Sequence, residues 1–460
     1  MRIRYVLLAA GVLAIGACKD PNRPNLNNPG VDDFSKITDV SQIQSLTTGV
    51  LASDRGQHTA EITRSEIVGR DAYIITGSEP RWNTELLGET IDASDFLGAS
   101  VFPYATIRLT NIGIAAVKAT DATVLSDQQK AVTIGFLQTF KAIEYMRVME
   151  THDTVGAPIN VDTPPTDPPA PLSCKSDVLH YIVALLDSAA TNLSAGGEFP
   201  FSLPAGFSGF DQPSTFLTFN RGLAAKANLY LAFRNGPGSP DAAALAAADA
   251  ALAASFLSTD PADLDVGPMH NFSSNSGDAT NGLYGPPAST TIRVNPRVLR
   301  EAEAGDRRLQ KIDSANALSA SDVSSKYVFV NYTSPTSPVP ILTNKELLLL
   351  AAEAKWGEGK MDSALVYANI VRVNDGGLTA DANNAPDAVL NRILYEKRYS
   401  LLYESADRWP DLRMFGKLNG SEPPAGVGQE RGLPPLNNLP LPQSEVNARG
   451  GVLDKQCTTT

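Results

Sequence analysis

Apolar side chains return every three or four residues in five stretches of the chain, and between them the pattern gives way to proline, glycine and serine. The first holds Ile43, Leu46, Val50 and Leu51. The second predicts two helices, Ile107 to Val117 and Val132 to Met149, with Gly156 and Pro158 stopping the chain after Thr151-His152-Asp153-Thr154. The third runs from Ser176 to Leu193, with Val178, Ile182, Leu185 and Leu186 on one face and Ser176 or Asp177 as the expected N-cap. The fourth is Leu223 to Phe233, a turn at Asn235-Gly236-Pro237-Gly238, and an alanine-dense helix from Asp241 to Phe256. The fifth begins at Asn344 and gives a hairpin: Glu346 to Trp356, a turn at Gly357-Glu358-Gly359-Lys360, then Met361 to Val373. Ala352, Gly359, Met361 and Ala364 fall there at the spacing of a tetratricopeptide-like unit, in which small residues let two helices approach.

A last helix is expected from Pro386 to about Asp407, with Leu390, Ile393, Leu394 and Leu401 on its apolar face and Glu404 and Arg408 one turn apart as a pair. Leu439-Pro440-Leu441-Pro442 predicts an extended segment laid against the body. Residues 257–332 are scattered by prolines and glycines and read as a long irregular insertion, the kind of region that carries binding in a helical protein. The expected fold class is therefore mainly α, with tetratricopeptide-like helical hairpins and long loop insertions.

The N-terminus changes the picture of where this body resides. Arg2 and Arg4 precede an apolar run from Tyr5 to Ala17, too short to span a bilayer as a mature helix and ordered like a secretory signal. It ends in Ile15-Gly16-Ala17-Cys18, which resembles a lipobox, in which the thiol is diacylated and the chain cut before it. Lys19 to Gly30 is polar and rich in proline and asparagine, a flexible leash. The expected division is a signal over 1–17, a lipidated leash over 18–35 and a binding body over 36–460. Acidic Asp20 close behind Cys18 is a thin version of the surface-export signal of some diderm bacteria.

Removing residues 1–17 takes away Arg2 and Arg4 and no carboxylate, so the formal net charge goes from −12 to −14. A charge of that sign argues against a nucleic-acid partner. Beyond Cys18 only Cys174 and Cys457 remain, and sequence separation leaves their pairing open.

Catalysis finds little support. His58, His152, His180 and His270 stand at no metal-ligand spacing, and His152 beside Asp153 reads as a solvated pair; neither GxSxG, HExxH nor a P-loop occurs. No catalytic residue, metal or cofactor is expected. Fifty carboxylates could still hold a glycosidase-type pair, which only spatial separation defines. Capture of an oligomer needs aromatic faces and hydrogen-bonding groups instead. Trp356 and Trp409 read as core, whereas Trp82 lies in the polar loop Glu79-Pro80-Arg81-Trp82-Asn83 and is the first candidate ligand contact, with Arg81 and Asn83 as hydrogen-bond donors. Tyr73 and Tyr284 are weaker candidates, and Phe272 weaker still.

Several stretches, in order, make the chain resemble the SusD/RagB family of outer-membrane nutrient-binding lipoproteins. They are Phe140-Lys141-Ala142-Ile143-Glu144-Tyr145 leading to Gly156-Ala157-Pro158, Tyr181 to Ala189, and Asp306-Arg307-Arg308. The final third matches most strongly: Ala352-Glu353-Ala354 through Asn369-Ile370-Val371-Arg372, Ile393-Leu394-Tyr395-Glu396-Lys397-Arg398 through Asp411-Leu412-Arg413-Met414-Phe415-Gly416, and Leu441-Pro442-Gln443-Ser444-Glu445. Ser400 stands where the family usually has Glu, Ser405 where it has Gly, and the interval from Glu404 to Arg408 is one residue longer.

The resemblance implies a SusD-like body with hairpins near 107–149, 176–256 and 344–373, a loop-rich insertion over 257–332 and a closing signature over 386–447. It also implies a site in the outer membrane, held by lipid alone and facing the cell surface. Its implied role is capture of an oligosaccharide or peptide and delivery to a SusC-like TonB-dependent transporter. A helical scaffolding lipoprotein that binds another envelope protein is the second reading, and a surface hydrolase the third.

Overall fold

The computed structural model describes residues 37–88, 91, 96–97, 103–163, 167–418 and 435–451, so Cys18, the signal, the leash and Cys457 lie outside the described residues. The chain is mainly helical, as its periodicity predicts. In order come α1 (Val40–Val68), β1 (Ala72–Ile74), α2 (Arg81–Thr84), α3 (Tyr104–Ala119), α4 (Asp127–His152), α5 (Lys175–Leu193), α6 (Pro213–Ala232) and α7 (Ala242–Ala253). Then follow β2 (Met269–His270), β3 (Ile292–Val294), α8 (Arg297–Glu301), β4 (Ile312–Ala320), β5 (Val323–Phe329), β6 (Val339–Pro340), α9 (Asn344–Gly357), α10 (Met361–Asn374), α11 (Pro386–Ser400), α12 (Arg408–Met414) and α13 (Gln443–Ala448).

Helices α3 to α7 pack as successive antiparallel neighbours, and α9, α10 and α11 form a second stack. Ala352 and Ala364 are fully buried where α9 meets α10, and Gly359 makes the turn at φ +75°, a conformation that favours glycine. Local chemistry starts the long helices. Asp39 and Gln42 form a capping box on α1, and Ser126 accepts from the Gln129 amide at 3.2 Å on α4 while the Gln129 side chain accepts from the Ser126 amide at 3.0 Å.

The apolar interior falls into two main clusters, and α1 crosses from one to the other. Ile43, Leu46, Val50 and Leu51 join the cluster of α3 to α7, while Ile62, Ile67 and Val68 join that of β1, β3, β5, α11 and α12. Between the two runs a seam of buried charge. Asp54 and Glu61 of α1 meet Arg147 of α4, which also takes Glu144 at 3.1 Å. Lys226 of α6 pairs with Asp407 at 2.5 Å and Glu346 at 3.2 Å, and Lys397 of α11 pairs with Glu353 at 2.9 Å and Asp411 at 2.8 Å. Such groups keep their charge inside a protein only when paired, because each otherwise forfeits its hydration.

Several expectations need correction. The first helix is far longer than its apolar block, running to Val68, because its second half carries the seam charges. The N-cap of α5 is Cys174, with Asp177 inside the first turn, so neither Ser176 nor Asp177 caps it; Cys174 itself is disulfide-bonded. The last long helix stops at Ser400. Tyr403 is held at φ +59°, with Phe329 stacked on its ring at 4.1 Å, its N–H donating to Glu66 Oε1 at 2.8 Å and its carbonyl accepting from Tyr332 at 3.0 Å. Glu404 and Arg408 consequently face different partners: Glu404 meets Lys311 and Lys345 at 2.8 and 2.7 Å, and Arg408 meets Asp71 at 3.1 Å.

The insertion over 257–332 is less irregular than its composition suggests. It contains the β4–β5 hairpin, turned through Ser321 and Asp322 at positive φ, and β3, which pairs antiparallel with β1 through Tyr73 opposite Arg293. Strand β2 pairs with β6. Leu439 and Leu441 are buried, with the Leu439 amide donating to the Thr151 carbonyl at 2.8 Å, so the proline-flanked tail lies on the body as expected.

Candidate ligand-binding site

The candidate site is built outward from Asp71. This fully buried carboxylate takes Arg398 at 2.5 Å and Arg408 at 3.1 Å and fixes the start of β1. Tyr73 follows in the strand, only 4 % exposed, and packs in the second apolar cluster, so it is a core residue and leaves the set of ligand contacts. The chain turns and enters α2. There Asn83 is fully buried and its amide donates to the Ile74 carbonyl at 2.7 Å, tying α2 back to β1. Asn83 is thus a positioning residue for its neighbours rather than a donor to ligand hydroxyls.

Trp82 is half-buried, its ring edge-on to Phe96 at 4.9 Å, and the Arg81 guanidinium lies over the same Phe96 ring at 4.9 Å while pairing with Glu79 at 2.5 Å. The sequence reading did not include Phe96. Tyr284, also half-buried, packs on the same cluster as Trp82. Its loop is braced by Asn281, whose side chain donates to the Ser337 carbonyl at 3.0 Å. That brace leads to a hollow of about 300 Å³ lined by Asn331, Tyr332, Ser337, Lys345 and Glu404 among others. Burial works to raise the Glu404 carboxyl, but the Lys311 and Lys345 ammonium groups override it and hold it at about 2. The half-buried rings of Trp82 and Tyr284, and a polar hollow bordered by the same loop-rich insertion as Tyr284, together suit a ligand with both C–H faces and hydroxyls.

A second concavity, of about 580 Å³, lies between α3, α4 and α5 and is walled in part by Ile112, Lys141 and Tyr181. None of the residues named beforehand as site candidates lines it. Their spacing along α3 reads as an ordinary polar helix face, so periodicity gave no signal.

Three of the four histidines are buried, and His180 is exposed. His152 is buried, not solvated: burial lowers it to about 4, and Nδ1 shares a hydrogen bond of 2.8 Å with Thr151 Oγ1. His58 is likewise held neutral by burial at about 3, with Nε2 donating to the Pro340 carbonyl at 2.7 Å. The fold brings His270 to within 5.7 Å of the His58 ring and hydrogen-bonds it to Asp54 at 2.6 Å, a juxtaposition invisible in the sequence. This cluster sits in the seam, behind Met269 and Pro340 of the hollow of about 300 Å³. No group of three or more metal-ligating side chains is found among the described residues, and among them no helix is long and apolar enough to cross a membrane.

No family model matches the chain, and no curated protein matches it. Solved structures do. A SusD superfamily protein from Parabacteroides distasonis superposes with a TM-score of 0.68 over 90% of this chain and 98% of its own, at 14% identity. One from Bacteroides thetaiotaomicron gives 0.66 over the same shares at 16% identity. The chain has the SusD fold. A SusD-like carbohydrate binding protein from Bacteroides vulgatus shares it at 0.59, with 83% of this chain and 84% of that one covered at 15% identity.

In this SusD-like fold the stretches that carried the sequence resemblance are structural. Arg308 forks onto Asp306 at 2.7 and 2.8 Å and reaches Glu396 at 2.5 Å. Glu396, Lys397 and Arg398, consecutive on α11, are all buried, and each faces a separate counter-charge: Arg308, the Glu353–Asp411 pair, and Asp71 with Glu301. These residues hold the frame.

Proposed function

We propose that this protein is a SusD-family lipoprotein of the outer membrane, anchored through Cys18 and facing the cell surface, that captures an oligosaccharide and delivers it to a SusC-like TonB-dependent transporter. The observation that carries the reading is the superposition over 98% of the length of SusD superfamily structures, which leaves little of either chain unaccounted for. The lipobox-like Ile15-Gly16-Ala17-Cys18 supports the anchor, and the description of one neighbour as carbohydrate binding supports the cargo. Trp82, with Phe96 against its ring, is the proposed principal contact, and Arg81 and Tyr284 are proposed beside it as further contacts. Its half-buried ring can stack on a pyranose face while its apolar neighbours keep it oriented.

Isothermal titration of the purified protein against a panel of neutral oligosaccharides tests the cargo, and affinity purification from solubilised native outer membranes tests the partner. A binding sugar whose affinity falls at least tenfold on Trp82→Ala, together with co-purification of a TonB-dependent barrel, is the expected result. No heat with any saccharide and no barrel in the eluate refutes it.

A further inference from the structure

The groove between α3, α4 and α5 differs from the rest of the protein in charge. Arg108 and Lys118 from α3 and Lys141 from α4 line it against a single carboxylate, Asp162, on a chain whose formal net charge is −12. Lys141 is the telling residue. It is only 4 % exposed, as are the two other fully buried lysines, Lys345 and Lys397, within rounding. Lys345 has carboxylates at 2.7 and 2.8 Å and Lys397 at 2.8 and 2.9 Å. Lys141 has, among the described residues, one, Asp162, at 4.0 Å on a side chain 70% exposed, with the Tyr181 ring at 5.6 Å. The stem is buried but the ammonium opens into the groove with no carboxylate at hydrogen-bonding distance among the described residues, which leaves it available to an anion.

A second group in the groove is also unsatisfied. Asn111 leaves both its amide nitrogen and its amide oxygen buried without a hydrogen-bond partner among the described residues, a state that costs on the order of 1–3 kcal/mol per group. Ile112, Ile114, Val161, Leu185 and Tyr181 supply an apolar wall. The volume, about 580 Å³, lies within the range of small-ligand sites, roughly 300–1,000 Å³. Arg108, Asn111, Ala115 and Lys118 fall three or four residues apart, so one uncovered face of α3 carries both charge and amide.

From these juxtaposed groups we infer that the groove between α3, α4 and α5 is a second binding site, for a carboxylate-bearing saccharide such as a uronic-acid oligomer, with Lys141 receiving the carboxylate. This rests on the reading of the protein as a glycan-capture lipoprotein, and it assigns the acidic sugar to a site separate from Trp82. Asn111 pairs with ring hydroxyls, and Arg108 and Lys118 at the rim attract the oligomer from solution. A neutral sugar brings no carboxylate to that place and gains no ion pair with Lys141.

The test uses the full-length protein in detergent, trigalacturonate, and its carboxyl-reduced counterpart trigalactose, measured by titration at two salt concentrations. Trigalacturonate is expected to bind, to lose at least tenfold on Lys141→Met, and to weaken as salt rises, while trigalactose binds at least tenfold more weakly. The exposed Lys118→Ala variant leaves the fold intact and is expected to lower affinity twofold to fivefold and reduce the salt dependence, which keeps the test open should Lys141→Met unfold. Equal affinity for the two trisaccharides, or Lys141→Met and Lys118→Ala both within twofold of the unmodified protein, overturns the site. So does a tripeptide carboxylate that binds the groove more tightly than trigalacturonate. Retained Trp82-dependent binding of neutral sugar in any of these cases leaves the capture function standing and removes only this site.

Discussion

Replacing Arg398 by methionine tests whether the buried pair with Asp71 holds the candidate site in place. The guanidinium gives Nη2 to Asp71 Oδ1 at 2.5 Å, Nε to Oδ2 at 3.0 Å and Nη1 to Glu301 at 2.8 Å, and neither Arg398 nor Asp71 has any side-chain exposure. Methionine fills the stem's volume but leaves Asp71 with Arg408 as its remaining close cation. Removing one member of a buried pair costs about 3–5 kcal/mol, and the retained Arg408 puts this case near the lower end, about 3 kcal/mol. Unfolding entropy of about 2.1 cal/mol/K per residue gives roughly 0.9 kcal/mol per degree for the mature chain, so the melting temperature is expected to fall by about 3–5 °C. Because β1 begins one residue after Asp71 and α2 hangs on Ile74, amide exchange over residues 72–75 should quicken while that over 178–186 of α5 stays as it was. The double variant Asp71→Leu, Arg398→Met should lose more than the single one, since it also leaves the buried Arg408 without Asp71. A melting temperature within 1 °C of the unmodified protein, or exchange that quickens equally in α5, refutes the argument.

Glu404 predicts a pH effect of definite sign. Its carboxyl is held at about 2 against a usual value of 4.5, so it contributes stability fully above pH 4.5 and loses it as pH falls toward 2. Glu404→Gln should destabilise by about 2–4 kcal/mol at pH 7, and denaturant titrations should show that gap narrowing between pH 5 and pH 3; a gap independent of pH counts against the Lys311–Glu404–Lys345 arrangement. Gly156 has φ +79°, and a Cβ there would lie 2.2 Å from the Ser173 carbonyl oxygen. Gly156→Ala is therefore expected to cost about 2–4 kcal/mol from conformation and clash together, read as a lowered urea midpoint, and an unchanged midpoint would contradict the tight exit after α4.

What the sequence disclosed and what it concealed divide on one physical question, whether polarity reports position. In α9 and α10 it does: Leu347, Ala351, Ala354, Ala364 and Ala368 are buried as their spacing says, and the predicted hairpin matches the observed one to within a residue or two. In the second half of α1 it does not. Asp54, His58, Glu61 and Arg64 look like a solvated face that ends a helix, yet they lie in the seam between the two apolar clusters, where partners from α4 and β2 neutralise them. The end of α11 failed for a related reason, since Tyr403 takes a left-handed backbone only because Glu66, Phe329 and Tyr332 arrive from far along the chain. The candidate site shows both behaviours: Trp82 was legible as a large ring among polar neighbours, but Asn83 looked equally available and is instead spent inside on Ile74. A protein that buries so many charges in closed pairs makes polarity a poor guide to its surface and coordination a good one. The informative position is the lysine whose stem is buried like the others but whose ammonium lacks their close carboxylates among the described residues, and that position is Lys141.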